Sequence, residues 1–358
     1  MGKRQIPEPP NFKKYGVPFY SVAWIPQHLI KSRQIETKDD SDSDHNSTPP
    51  TEAQPEPATV CKLGTDSELP YRMALHSNGD GLICAMETPK VCRWFDWESS
   101  EIHKLSLKLS EKVLTQLEDV GQQLALAFNN DGTALAAGGE DGNLRVFKWP
   151  SMEVILTESN AHSSVKDLHF SSDGKLLASL GSGGPCRVWD LSSSMVLASL
   201  SNENRETFSS CRFSQTNDKP QVLYIAAMTD KGGSILTWNT QTWERMGSKY
   251  IIRDPISALN VSADGKFLAC GTPSGDIVIV NSTNMKIQTV IKRAHLGIIT
   301  ALAFSPDSRA LASVSMDSSA RVTIIEEKKT NGGLSLWIAV LIILLAVAAY
   351  FLKQAIEK

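Results

Sequence analysis

The chain has 358 residues, 41% hydrophobic and 21% charged, with a formal net charge of −3. This apolar share excludes an intrinsically disordered chain, and the near-neutral balance gives no electrostatic ground for binding nucleic acid. The length allows two or more ordinary domains or one large all-β domain.

Residues 1–33 form an N-terminal segment. Its first fourteen residues are polar, basic and proline-bearing, without the apolar run of a signal peptide, so nothing there directs the chain across a membrane. Myristoylation needs Ser or Thr at position six, and Ile6 stands there. Pro18-Phe19-Tyr20-Ser21-Val22-Ala23-Trp24-Ile25 is apolar and β-prone and reads as the first strand of a sheet unit. The second and third strands of that unit do not follow. Residues 34–57 instead are rich in acids, Ser/Thr and proline, and cannot bury enough surface to offset their ordering entropy. They are expected to be a disordered linker. Ser41 and Ser43 in it are candidate phosphorylation sites, although composition alone favours a plain solvated segment.

From residue 58 to residue 325 the sequence repeats. L-A-L-A-F-N-N-D-G-T-A-L-A-A-G-G-E-D-G-N-L-R-V-F-K-W (124–149) matches V-K-D-L-H-F-S-S-D-G-K-L-L-A-S-L-G-S-G-G-P-C-R-V-W-D-L (165–191), and residues 256–281 and 299–324 are further copies. Weaker copies lie at 71–97 and 207–239. Asp131-Gly132, Asp173-Gly174 and Asp264-Gly265 separate paired apolar strands, and Asp-Gly suits a tight hairpin because glycine accepts a positive φ. Pro306-Asp307-Ser308 takes that place in the last copy. Trp189-Asp190 ends a third strand, with Phe147-Lys148, Trp238-Asn239 and Val280-Asn281 at the equivalent positions. About six such units of 40–45 residues predict an all-β fold, a WD40-type β-propeller. Counting the strand at 18–25, the plan has seven blades with the first incomplete.

A juxtamembrane linker (326–333) follows, then an apolar run without charge, residues 334–352. Nineteen residues at a helical rise of 1.5 Å reach ~28 Å, close to the hydrocarbon thickness of a bilayer. Leu334, Leu341, Leu345 and Leu352 lie along this run, with Trp337 and Tyr350 near its ends, where interfacial aromatics belong. The expectation is one C-terminal transmembrane helix, with the repeats in the cytosol and residues 353–358 as a lumenal tail. The lysines at 328, 329, 353 and 358 flank both ends, so the orientation rests on the missing signal sequence.

No nucleotide-binding loop, nucleophile elbow or Cys/His metal spacing is present, so no catalytic, cofactor or metal residue is assigned. The six cysteines lack C-x-x-C pairing and read as reduced, buried thiols. His162 and His295, at the unit starts, are expected in structural hydrogen-bond networks.

Three stretches carry a family likeness: Y-G-V-P-F-Y-S-V-A-W (15–24), K-L-G-T-D-S-E-L-P-Y-R-M-A (62–74) and G-D-G-L-I-C (79–84). With the repeats and the terminal apolar run they resemble the Sec-twelve-like family. Its members are endoplasmic-reticulum WD-repeat exchange factors for the Sar-type GTPase of COPII coats, and its plant branch includes a phosphate transporter traffic facilitator. The resemblance implies an endoplasmic-reticulum location, and a Sar-type small GTPase, COPII components or transporter cargo as partners. Active members carry a glycine-rich loop, G-G-G-G…S-G-I-x-N, that meets the GTPase and in some holds potassium. No such run stands between Trp24 and Lys62, so no family site residue and no potassium site transfer to this chain. Two functions therefore stay open: guanine-nucleotide exchange, or exchange-inactive assistance to the exit of specific cargo. The loss of two strands resembles the skipping of an exon.

Overall fold

The computed structural model describes residues 12–14, 21–24, 69–88, 90–100, 104–203, 205–215 and 221–325. They fold into six antiparallel four-stranded sheets arranged as the blades of a propeller. The N-terminal strand β1 (Phe12–Lys14) belongs to the last blade. Blade 1 consists of β2 (Leu69–Leu75), β3 (Gly81–Thr88), β4 (Cys92–Ser100) and β5 (Lys104–Leu109). Blade 2 is β6 (Gln123–Phe128), β7 (Ala134–Gly139), β8 (Leu144–Lys148) and β9 (Glu153–Glu158). Blade 3 is β10 (Val165–Phe170), β11 (Leu176–Gly181), β12 (Cys186–Asp190) and β13 (Met195–Leu200). Blade 4 is β14 (Thr207–Phe213), β15 (Val222–Thr229), β16 (Gly232–Asn239) and β17 (Arg245–Ile252). Blade 5 is β18 (Ala258–Val261), β19 (Phe267–Gly271), β20 (Ile277–Asn281) and β21 (Ile287–Ile291). Blade 6 is β22 (Ile299–Phe304), β23 (Ala310–Ser315) and β24 (Ser319–Ile324), with β1 as its outermost strand.

The strands form where the sequence alternates. In β10, Leu168 and Phe170 go into the core while Asp167 and His169 face the centre of the ring. The small second strand Ala134–Gly139 is buried throughout, and so are Phe267–Gly271, because the neighbouring blade packs directly on them. The cores lie between blades. Trp189 of blade 3 joins Ala136 and Val146 of blade 2, and Trp238 of blade 4 joins Val188 of blade 3.

The Asp-Gly turns behave as the composition predicts, and the structure adds their wiring. Gly132, Gly174 and Gly265 have φ of 73°, 70° and 66°, and Ser308 takes the same conformation at 60° in the glycine-free copy. Asp173 Oδ1 accepts from Ser171 Oγ and from the Lys175 N–H, while Ser171 Oγ accepts from the Leu176 N–H. The same Ser–Asp pairing recurs at Ser262/Asp264 and Ser305/Asp307. The terminal Asp of the Trp-Asp pair is also a turn residue: Asp190 Oδ1 accepts from the Ser192 N–H at 2.9 Å, as Asn239 does from Gln241 and Asn281 from Thr283.

Two N-terminal features differ from the sequence reading. Of the strand expected over 18–25, residues 21–24 are described and have no strand pairing. The strand that does form, Phe12–Lys14, pairs with β24 in the register Phe12↔Arg321 and Lys14↔Ser319. Two lysines in three residues gave no alternation to mark it; its strand character comes from the open edge of β24, not from its own sequence. The linker at 34–57, with Ser41 and Ser43, lies outside the described residues. So does the run at 334–352 with Leu334, Trp337, Leu341, Leu345, Tyr350 and Leu352. Among the described residues no helix is long and apolar enough to cross a membrane.

Candidate functional site

The ring has one irregular joint. Inner strands pack in the order β2, β6, β10, β14, β18, β22, and residues 21–24 stand between the last and the first. Trp24 donates from Nε1 to the Ala303 carbonyl of β22 at 2.8 Å, and Ser21 Oγ lies 3.5 Å from the Met73 carbonyl of β2. Four residues without strand partners thus take the place of an inner strand. After Trp24 the next described residue is Leu69, the first of β2.

Blade 6 presents three apolar side chains from two loops. Leu296, Ile298 and Met316 are 75%, 42% and 42% exposed. The loops are stapled together: Asp317 Oδ2 accepts from the Leu296 N–H, and the Met316 N–H donates to the Ile298 carbonyl at 3.1 Å. Holding three apolar groups in water on a fixed frame favours a surface that a partner covers. The signal was present in the sequence as the apolar letters of A-H-L-G-I (294–298) and S-M-D (315–317), among otherwise polar loop residues.

The frame behind that surface is a polar network around a buried histidine. His295 Nε2 lies 2.8 Å from Ser313 Oγ, and Nδ1 meets Ser319 Oγ. Burial pushes the His295 imidazole down to about 4, although Asp317 at 3.9 Å opposes the shift. Blade 3 repeats the arrangement: Ser179 Oγ joins His162 Nε2 at 2.8 Å and accepts from Trp189 Nε1 at 2.9 Å. His162 is likewise pushed down to about 4, by burial and by the charge of Arg187. Both histidines are neutral structural members, in agreement with the sequence reading. Each network depends on a glycine: Gly142 (φ 76°) and Gly275 (φ 86°) lie against the carbonyls of His162 and His295, where a Cβ would overlap the oxygen.

Five of the six cysteines are described, and all are buried and unpaired. Burial pushes the Cys84, Cys92 and Cys270 thiols up to about 12, which removes them as nucleophiles. Among the described residues no group of three or more His, Cys, Asp or Glu stands ready to hold a metal.

Six repeated four-stranded blades, with a His–Ser–Trp network in blade 3 and Ser–Asp turns in blades 3, 5 and 6, define a WD-repeat protein. The WD domain, G-beta repeat model matches residues 117–148, 153–190 and 286–323. SEC12-like protein 2 of Arabidopsis thaliana is 47% identical over 370 aligned positions that cover 92% of this chain and 92% of the relative. The chain therefore belongs to the SEC12-like family. SEC12-like protein 1 of the same plant is 31% identical over 71% of this chain and 63% of its own length. The guanine nucleotide-exchange factor SEC12 of Rattus norvegicus is 27% identical, over 64% of this chain and 62% of its own length.

Proposed function

We propose that this chain is a membrane-anchored WD propeller that promotes export from the endoplasmic reticulum by guanine-nucleotide exchange on a Sar-type small GTPase. Family membership carries the reading, since a member as distant as the rat protein is itself a nucleotide-exchange factor. The apolar run at 334–352 supports a single span, with the propeller cytosolic and the last residues lumenal. We assign the GTPase contact to the exposed Leu296, Ile298 and Met316 surface of blade 6.

One observation favours the second reading, an exchange-inactive facilitator for membrane cargo such as phosphate transporters. The 370 positions aligned with SEC12-like protein 2 exceed the 92% of this chain's 358 residues that they take in by about 40. Within the aligned span this chain thus lacks, in total, about 40 positions, comparable in number to one WD repeat. Together with the partnerless inner segment 21–24, this supports a seven-bladed plan whose first blade is reduced here.

Exchange requires tighter binding of the nucleotide-free GTPase than of the loaded one. Release of a fluorescent GDP analogue from a Sar-type GTPase, with the full chain in liposomes, tests the reading. Accelerated release that Leu296→Asp abolishes is the expected result. Unchanged release at saturating propeller, with the GTPase still retained on the liposomes, transfers the function to the facilitator.

A further inference from the structure

The six inner strands enclose a central channel of about 300 Å³ whose charge is one-sided. Alanines at 125, 258 and 301 leave room in it, while Arg72, Lys166 and Arg212 bring positive charge from blades 1, 3 and 4. Among the described residues the one acid in the lining, Asp167, is already committed: its Oδ2 accepts from Arg212 Nη1 at 2.6 Å and from the Cys211 N–H at 2.9 Å. Two positive charges are left over. Lys166 is exposed to the channel and has no ion pair among the described residues.

The neutral groups point the same way. His169 accepts the Phe213 N–H on Nδ1 at 3.1 Å, which keeps its proton on Nε2 as a donor. Ser210 lines the channel only 7% exposed, and its hydroxyl has no hydrogen-bond partner among the described residues. A buried hydroxyl left without a partner costs free energy unless something binds it. Two independent facts, surplus positive charge and an orphaned buried hydroxyl, thus meet in one cavity.

We propose that this channel is a binding site for a small oxyanion of the phosphate type, either the free ion or a phosphate ester. Arg72 and Lys166 supply the uncompensated charge, and Ser210 with His169 Nε2–H supplies neutral donors. The donors come from three blades, which suits the tetrahedral oxygens of a phosphate better than the flat face of a carboxylate. Bound there, the anion links blade 1 to blades 3 and 4 across the ring, and binding to the folded state alone raises its stability.

Isothermal titration and thermal melting of the purified full chain in detergent test this, with inorganic phosphate and with inositol hexakisphosphate as probes at constant ionic strength. Saturable binding to one site and a raised melting temperature are expected. Lys166→Ala, which removes no ion pair among the described residues, weakens binding by about tenfold or more, as loss of a charge-assisted bond does. Arg72→Gln and Ser210→Ala weaken it as well. A stronger response to the ester identifies a phosphate ester as the ligand; an equal or stronger response to inorganic phosphate identifies the free ion. Absence of saturable binding by both probes overturns the site, as does unchanged affinity in Lys166→Ala.

Discussion

Ser179 shows how much a single atom holds in this fold. Its hydroxyl serves both Trp189 Nε1 and His162 Nε2, and Trp189 is wholly buried. Ser179→Ala leaves the indole N–H without a partner, which costs about 1–3 kcal/mol. A urea melt is expected to show that loss, with little change in its slope. Gly275→Ala fails for a different reason: its φ of 86° disfavours a side chain, and the added Cβ would overlap the His295 carbonyl. The histidines also set a pH dependence. Both are held near 4, against an ordinary 6.5. Between those values the unfolded chain binds protons that the folded chain does not. The contribution of these two histidines therefore falls as pH drops from 6.5 towards 4 and levels off below that. For His295 the loss is about 3 kcal/mol over that window. Melts recorded across the window in wild type and His295→Gln measure it, the variant giving the shallower dependence.

At the scale of the element, the last blade depends on the first strand. β1 supplies the outer partner of β24, so removing residues 1–14 exposes a strand edge and opens the ring's closure. The truncated chain is expected to melt earlier and to scatter light on warming, which static scattering against temperature records. This closure was the least legible part of the fold. Blades 2, 3, 5 and 6 could be read from the sequence because each strand carries its own alternation, and Asp-Gly or Asp-Ser marks the hairpins. Phe12–Lys14 has no alternation to read; an edge far along the chain confers its structure. The surface of Leu296, Ile298 and Met316 was hidden for a related reason. Its three residues come from two loops joined by one backbone bond and by the Asp317 carboxylate, and one-dimensional spacing does not show that junction. The channel charges were scattered over inner strands where single polar letters interrupt apolar ones, and only ring closure brings Arg72 and Arg212 to one cavity.

At the scale of the whole molecule, a ring of blades carries one irregular joint, and the proposed function tethers that ring to a membrane. An anchored propeller holds its partner at high local concentration, so modest affinity is enough for coat assembly. The arrangement requires the ring to face the cytosol and residues 334–352 to be the tether. Limited proteolysis of sealed microsomes containing the full chain tests this most directly. Digestion of the propeller from outside without detergent, leaving a small protected C-terminal fragment, is the predicted result. A propeller that stays intact until detergent opens the vesicles contradicts the account.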